Sequence, residues 1–276
     1  MTAMTELSRR QRGFTLVEAI VVIVITGIVA SFVAVFIRLP VQSHVDTAAR
    51  IALADTADTA LGRINRELRL ALPNSVVVAN GNTALQFVLT KAGGRYVDVN
   101  NLPPAGVLPL RFDGASTQFD IVGPAPTGRA AIVPDDLLVI NNTGAAPANV
   151  YALNRNNVVS ITAIAGNRVT LAGGLPLAAA APPPYRFRIA AGTVTYLCNN
   201  NRLVRHFTRT IPKSGVADIN ALGPEALLAD RATCAFRNLP LPTQAGTSLV
   251  TASLQLTSTG GETVSLVRQT QVENLP

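Results

Sequence analysis

A run of 24 residues near the N-terminus, 14–37, constrains this chain more than any other part of it. It reads FTLVEAIVVIVITGIVASFVAVFI, and Glu18 is its one ionisable side chain. As a helix the run would be about 36 Å long, which exceeds the ~30 Å hydrocarbon core of a bilayer. A core helix of a soluble protein needs a polar face, and this run has none. The run therefore predicts a membrane-spanning helix.

The charged residues around this run predict its orientation. Three arginines lie between residues 9 and 12, whereas only Arg38 follows the run closely. Because positively charged flanks stay on the cytoplasmic side of a membrane, residues 1–13 are expected in the cytoplasm. Residues beyond about 40 are then expected on the outer side.

Three kinds of segment share such an apolar run. A secretory signal peptide has an apolar region of about 7–15 residues and a small-residue cleavage site, whereas this run is longer and ends in Arg38-Leu39-Pro40. A plain membrane anchor would leave Glu18 unexplained. A carboxylate at the centre of a membrane helix costs about 2.5–3.5 kcal/mol, and less near the helix end. The third kind of segment provides this carboxylate with a partner.

Residues 9–18 read RRQRGFTLVE, which is a short basic stretch, a glycine and then Phe-Thr-Leu-Val-Glu. This pattern resembles the class III signal of type IV prepilins and of type II secretion pseudopilins. The resemblance implies that a membrane peptidase cuts between Gly13 and Phe14 on the cytoplasmic face and methylates the new amine of Phe14. Glu18 would then be the fifth residue of the mature chain, which is the position of the assembly glutamate in this family.

The chemistry of the motif agrees with that role. Gly13 offers an unhindered backbone at the bond to be cut, and methylation of the Phe14 amine keeps its positive charge. In a filament of staggered subunits, the Glu18 carboxylate of one subunit can meet the Phe14 ammonium of another. Two charges that are each costly in lipid cost less as a pair. In an unassembled chain the same carboxylate can reach the membrane surface instead.

A second helical stretch, about residues 44–72, follows Pro40, which is expected to end or bend the first helix. Its apolar side chains recur every three or four residues, at Leu53, Ala57, Ala60, Leu61, Ile64, Leu68 and Ala71. The resemblance implies an α+β, type IV pilin-like fold with a long N-terminal helix packed on a β-rich head. The expected divisions are a cleaved leader (1–13), a transmembrane helix (14–37), a periplasmic half of the long helix (38–72) and a periplasmic head (73–276).

From residue 75 onward the sequence predicts β structure. Short alternating or β-branched runs are separated by Gly, Pro and Asn, at 76–79, 84–90, 95–99, 117–122, 137–141, 168–172, 185–190, 193–198, 249–257 and 262–272. Gly260-Gly261 predicts a hairpin turn between the last two runs. Asn199-Asn200-Asn201 predicts a second turn, which leads into RLVRHFT.

The chain has two cysteines, Cys198 and Cys234, and no CxxC motif. Because the head is expected outside the cytoplasm, where disulfides form and persist, one disulfide between them is predicted. Two buried free thiols are the alternative. Major pilins tend to place such a pair closer to the C-terminus than Cys234 lies in this chain.

Searches for catalytic and cofactor patterns favour a protein that is not an enzyme. The chain has no GxSxG, Walker loop, HExxH or EF-hand pattern, and its two histidines, His44 and His206, are not at metal-ligand spacing. No cofactor or metal is expected. Charged residues make up 14% of the chain and the net charge is +7, but the excess is spread thinly. Nucleic acid is therefore not expected as a partner.

The order of features along the whole chain resembles one subgroup. After the helix and the β-rich head come RFRIAAGTVTYLCNNNRLVR, LLADRATCAFRN and a terminal hairpin that ends QVENLP. This order is similar to that of MshO-like minor pilins of the mannose-sensitive haemagglutinin (MSHA) type IV pilus system. It implies an inner-membrane subunit that helps to initiate or cap pilus assembly in a Gram-negative envelope. The implied partners are major and minor pilins, the prepilin peptidase and the inner-membrane assembly platform.

Two other functions stay open at this point. The J-type minor pseudopilin of type II secretion shares the N-terminal architecture and the β-rich head. A tip adhesin or DNA-binding minor pilin would need an exposed ligand surface, and the absence of Trp and the diffuse charge argue against one.

Overall fold

The computed structural model describes residues 13–101, 103–176, 185–213, 222–241 and 246–275, with the backbone alone at 34, 35, 37–45 and 101. The chain divides into two units, Met1–Ile51 and Ala52–Pro276, and the second is called the head unit below. One long apolar helix is followed by a β-rich head. The predicted α+β, pilin-like fold is confirmed.

Helix α1, Leu16–Leu68, contains the apolar run and the second helical stretch. Its segment Leu16–Val33 has a mean hydropathy of 2.7 and is long and apolar enough to cross a membrane, and none of it is buried. In the head unit the residues spaced by three or four face inward, and Ala57, Leu61 and Ile64 are almost completely buried. The predicted periodicity of this second stretch is confirmed.

The predicted end of the first helix at Pro40 is wrong, because α1 continues through this residue; the alternative, a bend at Pro40, stays a prediction. Helix α1 loses one backbone hydrogen bond at this proline. It then ends at Leu68 instead of residue 72. The backbone there turns to pair with a strand, as the N–H of Leu72 donates to the carbonyl of Val88 over 2.8 Å and the N–H of Thr90 donates to that of Leu70.

The described part of the chain after α1 forms strands and two short 3-10 turns, Val99–Asn101 and Gly128–Ala130. The strands are β1 Val77–Ala79, β2 Ala84–Tyr96, β3 Gln118–Val122, β4 Leu137–Ile140, β5 Val158–Ala165, β6 Arg168–Leu171, β7 Arg186–Asn199, β8 Arg202–Thr208, β9 Glu225–Asp230, β10 Ala232–Pro240, β11 Thr247–Thr257 and β12 Thr263–Glu273. Every strand pairing is antiparallel.

Six of these strands pair in a closed ring, in the order β2-β3-β6-β5-β4-β7 and back to β2. We call this ring the barrel; it uses the C-terminal half of β2 and the N-terminal half of β7. Its interior is filled by side chains from all six strands, including Tyr96, Phe119, Ile140, Val169 and Phe187. Ring closure removes the exposed strand edges that an open sheet would have.

A second core joins α1 to the rest of the head unit. The inner face of the helix packs against the other halves of β2 and β7, against β8, and against the three-stranded sheet β10-β11-β12. Its largest members include Phe87, Tyr196 and Phe236. This packing anchors the end of α1 within the head unit.

Both predicted hairpins are confirmed. Strands β11 and β12 pair from Thr257↔Thr263 onward around Gly260-Gly261, and β7 pairs with β8 around the Asn turn. The predicted runs 185–190 and 193–198 are not separate strands, since both lie in β7 apart from Tyr185. Of the predicted run 95–99, only Arg95 and Tyr96 are in a strand, the end of β2.

Candidate functional site

The N-terminal end of α1 carries the residues of the predicted processing site. Gly13 precedes the helix, and Phe14 is 76% exposed. A Cβ atom on Gly13 would meet no described atom within 4 Å, so the fold itself does not require glycine there. The basic residues 9–12 lie outside the described residues, while Leu16–Val33 is exposed along its length.

Thr15 caps the helix at this site. Its Oγ1 accepts a hydrogen bond from the backbone N–H of Glu18 over 3.3 Å. A Thr at the position before a helix and a Glu three residues later form the pattern of a capping box. The sequence analysis did not assign this role to Thr15, although the spacing T-x-x-E contains the signal.

Glu18 lies in the first turn of α1, and its side chain is exposed. No described residue forms an ion pair with it. A carboxylate near a helix N-terminus is favoured by the unpaired N–H groups and the helix dipole. Glu18 therefore lies within the first helical turn, four residues after Phe14.

The surface around Glu18 is otherwise apolar. Exposed fractions of 77% for Leu16, 71% for Ile23 and 61% for Phe32 show that large side chains point outward on this segment. Exposed apolar surface of this extent is typical of helices that are covered by lipid or by other helices.

Cys198 and Cys234 form a disulfide in the structure, with their Cα atoms 6.0 Å apart. Cys198 lies near the end of β7 and Cys234 lies in β10. The bond therefore links β7, one of the six strands that form the barrel, to the three-stranded sheet. It lies in the same core as the inner face of α1.

A polar cluster fixes the end of α1 on the sheet, and sequence analysis missed it. The Glu67 carboxylate accepts hydrogen bonds from the Tyr196 hydroxyl at 2.8 Å and from Arg205 Nε at 2.9 Å, and Arg63 Nε lies 3.3 Å away. Burial and the nearby Glu67 charge raise the pKa of Tyr196 well above its usual value.

The head unit also contains a cavity of about 580 Å³ beside β3 and β6. Its titratable groups, Asp120 and Arg168, pair with each other through two hydrogen bonds of 2.9 and 3.0 Å. The hydrogen bonds from Arg168 hold the pKa of Asp120 below its usual value.

His206, which the sequence placed in a strand, lies in β8 and contacts the carbonyl of Gly223 at 2.9 Å.

Comparison with known proteins bears on the N-terminal segment alone. A family model described as the prokaryotic N-terminal methylation motif matches residues 8–34. No curated protein and no solved structure matches the chain. The matched range includes Gly13, Phe14 and Glu18, together with most of the apolar segment. Such a motif is typical of structural subunits. It supports a type IV prepilin-like or pseudopilin-like protein that is anchored in a membrane through its N-terminal helix.

Proposed function

We propose that this chain is a minor pilin-like structural subunit that helps to initiate or cap assembly of an MSHA-type type IV pilus. Before assembly it is a single-pass protein of the inner membrane, with the leader cytoplasmic and the head periplasmic. The observation that carries the proposal is the methylation motif at residues 8–34, which coincides with an exposed apolar helix.

Processing is the first step of the proposed function. The prepilin peptidase cuts the bond between Gly13 and Phe14, and the Phe14 amine is methylated. The exposure of both residues leaves this bond accessible in the structure. Removal of the leader places the new ammonium four residues before Glu18, next to the capped first turn of α1.

Assembly is the second step. The Glu18 carboxylate pairs with the Phe14 ammonium of a neighbouring pilin, which lowers the cost of both charges in lipid. The exposed apolar side chains of Leu16–Val33 then pack against the helices of neighbouring subunits. The proposed partners are major and minor pilins and the inner-membrane assembly platform.

Mass spectrometry of the protein from its own host tests the processing step. The wild-type chain is expected to begin at methylated Phe14, and Gly13→Val is expected to retain the leader because a branched side chain blocks the scissile bond. Gly27→Val is the matched control. Like Gly13, Gly27 has no described atom within 4 Å of its Cβ position, so this variant is expected to be processed normally. A mature N-terminus at Phe14 in Gly13→Val would overturn the assignment.

The J-type minor pseudopilin of type II secretion is the main alternative, and a tip adhesin or DNA-binding minor pilin is the second. The partners that co-purify with the processed wild-type protein distinguish the proposal from the main alternative. Co-purified MSHA pilins would support the proposal, and co-purified type II pseudopilins would support the alternative. Binding of the purified protein to DNA that persists at high salt would favour the third.

A further inference from the structure

Three arginine side chains lie together on the outer face of the barrel. Arg95 in β2 is directly opposite Arg186 in β7, and Arg188 is opposite Gly93. Opposite residues of an antiparallel pair share one face, as do residues two apart on a strand. Phe187, between the two β7 arginines, points into the barrel core. Arg95, Arg186 and Arg188 therefore project outward as one group, which we call the arginine patch.

The patch has no acidic partner within the described part of the chain. Arg95 and Arg186 are exposed and Arg188 is half-buried. Other arginines of the head unit form ion pairs, namely Arg63, Arg168, Arg202, Arg205, Arg231 and Arg268. Like charges directly opposite on two strands destabilise a sheet. The pairing of Arg95 with Arg186 therefore carries a local cost that no described carboxylate offsets.

One glycine shapes the surface beneath these side chains. A Cβ atom on Gly93 would lie 3.4 Å from Cδ and 3.7 Å from Nη1 of Arg188, so the arginine lies across bare backbone. Gly94 is opposite Phe187 and shares its inward face, since a Cβ atom there would lie 2.7 Å from Cε1 of the Phe187 ring. On the outer face lies a groove of about 270 Å³, whose lining includes Gly93 and the arginine patch.

A second groove continues from the first. It has a volume of about 320 Å³ and shares Arg188 with the first groove. It adds Arg69 and one carboxylate, that of Glu273. The two grooves together are lined by four arginines, namely Arg69, Arg95, Arg186 and Arg188.

We propose that the arginine patch binds an extended acidic segment of a partner protein. The planar guanidinium fork matches a carboxylate with two parallel hydrogen bonds. Arg186 and Arg188 are two residues apart on a strand, about 6.6 Å by strand geometry. Acidic residues at alternate positions of an extended segment have the same spacing, so they match this pair.

The occupant is a different protein rather than a second copy or a nucleic acid. No two acidic residues of this chain are two positions apart, so a second copy lacks the matching pair. The groove lining contains one aromatic residue, Phe187, and its ring lies in the barrel core. The surface therefore lacks the stacking platforms that single-stranded nucleic acid uses. This inference goes beyond the proposed function and does not depend on it.

Peptide binding to the full chain in neutral detergent micelles tests the proposal. The probe is a fluorescent peptide in which Glu alternates with Thr, and the control peptide has Gln in place of Glu. We expect the wild type to bind only the Glu peptide, and less tightly at high salt. Arg95→Gln, Arg186→Gln and Arg188→Gln should each weaken binding about tenfold, in line with the loss of a charge-assisted hydrogen-bonded pair.

Arg237→Gln is the matched control, because Arg237 is exposed on β10 and forms no ion pair with a described residue. It should change the affinity by less than about twofold, as expected for a distant surface charge. The patch variants should unfold at the wild-type temperature or above it, since they relieve a like-charge pair. The proposal would be overturned if Arg237→Gln weakened binding equally, or if the triple patch variant kept full affinity. It would also be overturned if the patch variants unfolded at lower temperatures, or if the wild type bound oligothymidine more tightly than the Glu peptide.

Discussion

Glu67 and Glu18 are both acidic residues of α1, but their surroundings differ, so their removal is expected to affect the stability of the fold differently. Glu67 is 16% exposed and is held by Tyr196, Arg205 and Arg63, whereas Glu18 is exposed on an apolar helix. Loss of a partner from a buried ion pair leaves an uncompensated charge. An exposed carboxylate that contacts no other part of the fold has no such effect on stability.

Glu67→Gln is expected to destabilise the head unit by about 3 kcal/mol, because Arg205 is left buried without its counter-charge. Arg205 is only 13% exposed, so water cannot readily replace the carboxylate. Thermal or urea unfolding of the variant measures the change. Glu225→Gln is the control, since Glu225 pairs with Arg202 on the surface and such pairs contribute only about 0–1 kcal/mol. Equal effects of the two substitutions would contradict the assigned role of Glu67.

Glu18→Ala is expected to affect assembly and not folding. The membrane helix should insert more readily without a carboxylate in the apolar run, and Glu18 belongs to the exposed apolar segment rather than to the head unit. The variant should be processed at Gly13, should unfold like the wild type and should fail to co-purify with partner pilins. Lower stability of the head, or assembly at the wild-type level, would show that Glu18 does not have this role.

Among the elements, β7 links most of the head unit. It pairs with β2, β4 and β8, contributes side chains to both cores, and is joined to β10 by the disulfide. A covalent link from this strand to the three-stranded sheet restricts the unfolded chain more than a link between neighbouring turns would.

Replacement of both cysteines by alanine is expected to lower the stability of the head by roughly 4 kcal/mol, from the closure of a loop of about 37 residues. Such a loss is a large share of the ~5–15 kcal/mol that stabilises a typical domain. Unfolding of oxidised and reduced wild type should differ, whereas the double variant should not respond to a reductant. Two alkylatable thiols in the unreduced, natively purified protein would contradict the prediction.

At the scale of the whole molecule, the end of α1 belongs to the core of the head unit. Leu61, Ile64 and Leu68 are buried against β strands of both sheets, while the exposed apolar segment lies in the other unit. One continuous helix therefore has an exposed apolar segment near its start and a face that is buried in a protein core near its end.

A chain that begins at Ala52 is accordingly expected to fold in water, and a chain that begins at Arg69 is not. The shorter chain loses three large buried side chains, each worth about 2–5 kcal/mol, and leaves Arg205 unpaired. Circular dichroism and urea unfolding distinguish the two outcomes. If the chain from Arg69 unfolded cooperatively at the same urea concentration as the chain from Ala52, the helix would not be part of the core.

Glycines explain why the barrel was not predicted from sequence. The Gly93-Gly94 pair and Gly192 were read as breaks that split β2 and β7 into shorter runs. In the structure both strands continue, and Gly192 lies where its backbone approaches Thr208 too closely for a side chain. A glycine within a strand often marks a bend at a barrel corner, and only the pairing partners show whether it is a bend or a break.

Three strands were also missed, and β9 shows the reason. Its sequence EALLAD consists of residues that favour helices. Pairing with β8, including Leu203↔Ala229, holds it extended, so tertiary contacts override the local preference. Strands β5 and β10 were missed although each pairs with the strand that follows it in the chain, β6 and β11.

The sequence by itself determined the apolar N-terminal segment, the methylation motif with Gly13, Phe14 and Glu18, the inner face of the second helical stretch, and both hairpins. These features depend on local composition, short motifs and periodicity. The tertiary structure alone decided the closure of the barrel, the Glu67 cluster and the arginine patch. Each of these joins residues that are far apart in the chain, such as Glu67 with Arg205 or Arg95 with Arg186. Local patterns contain no information about such pairs, because strand order and register are set by the packing of the whole head unit.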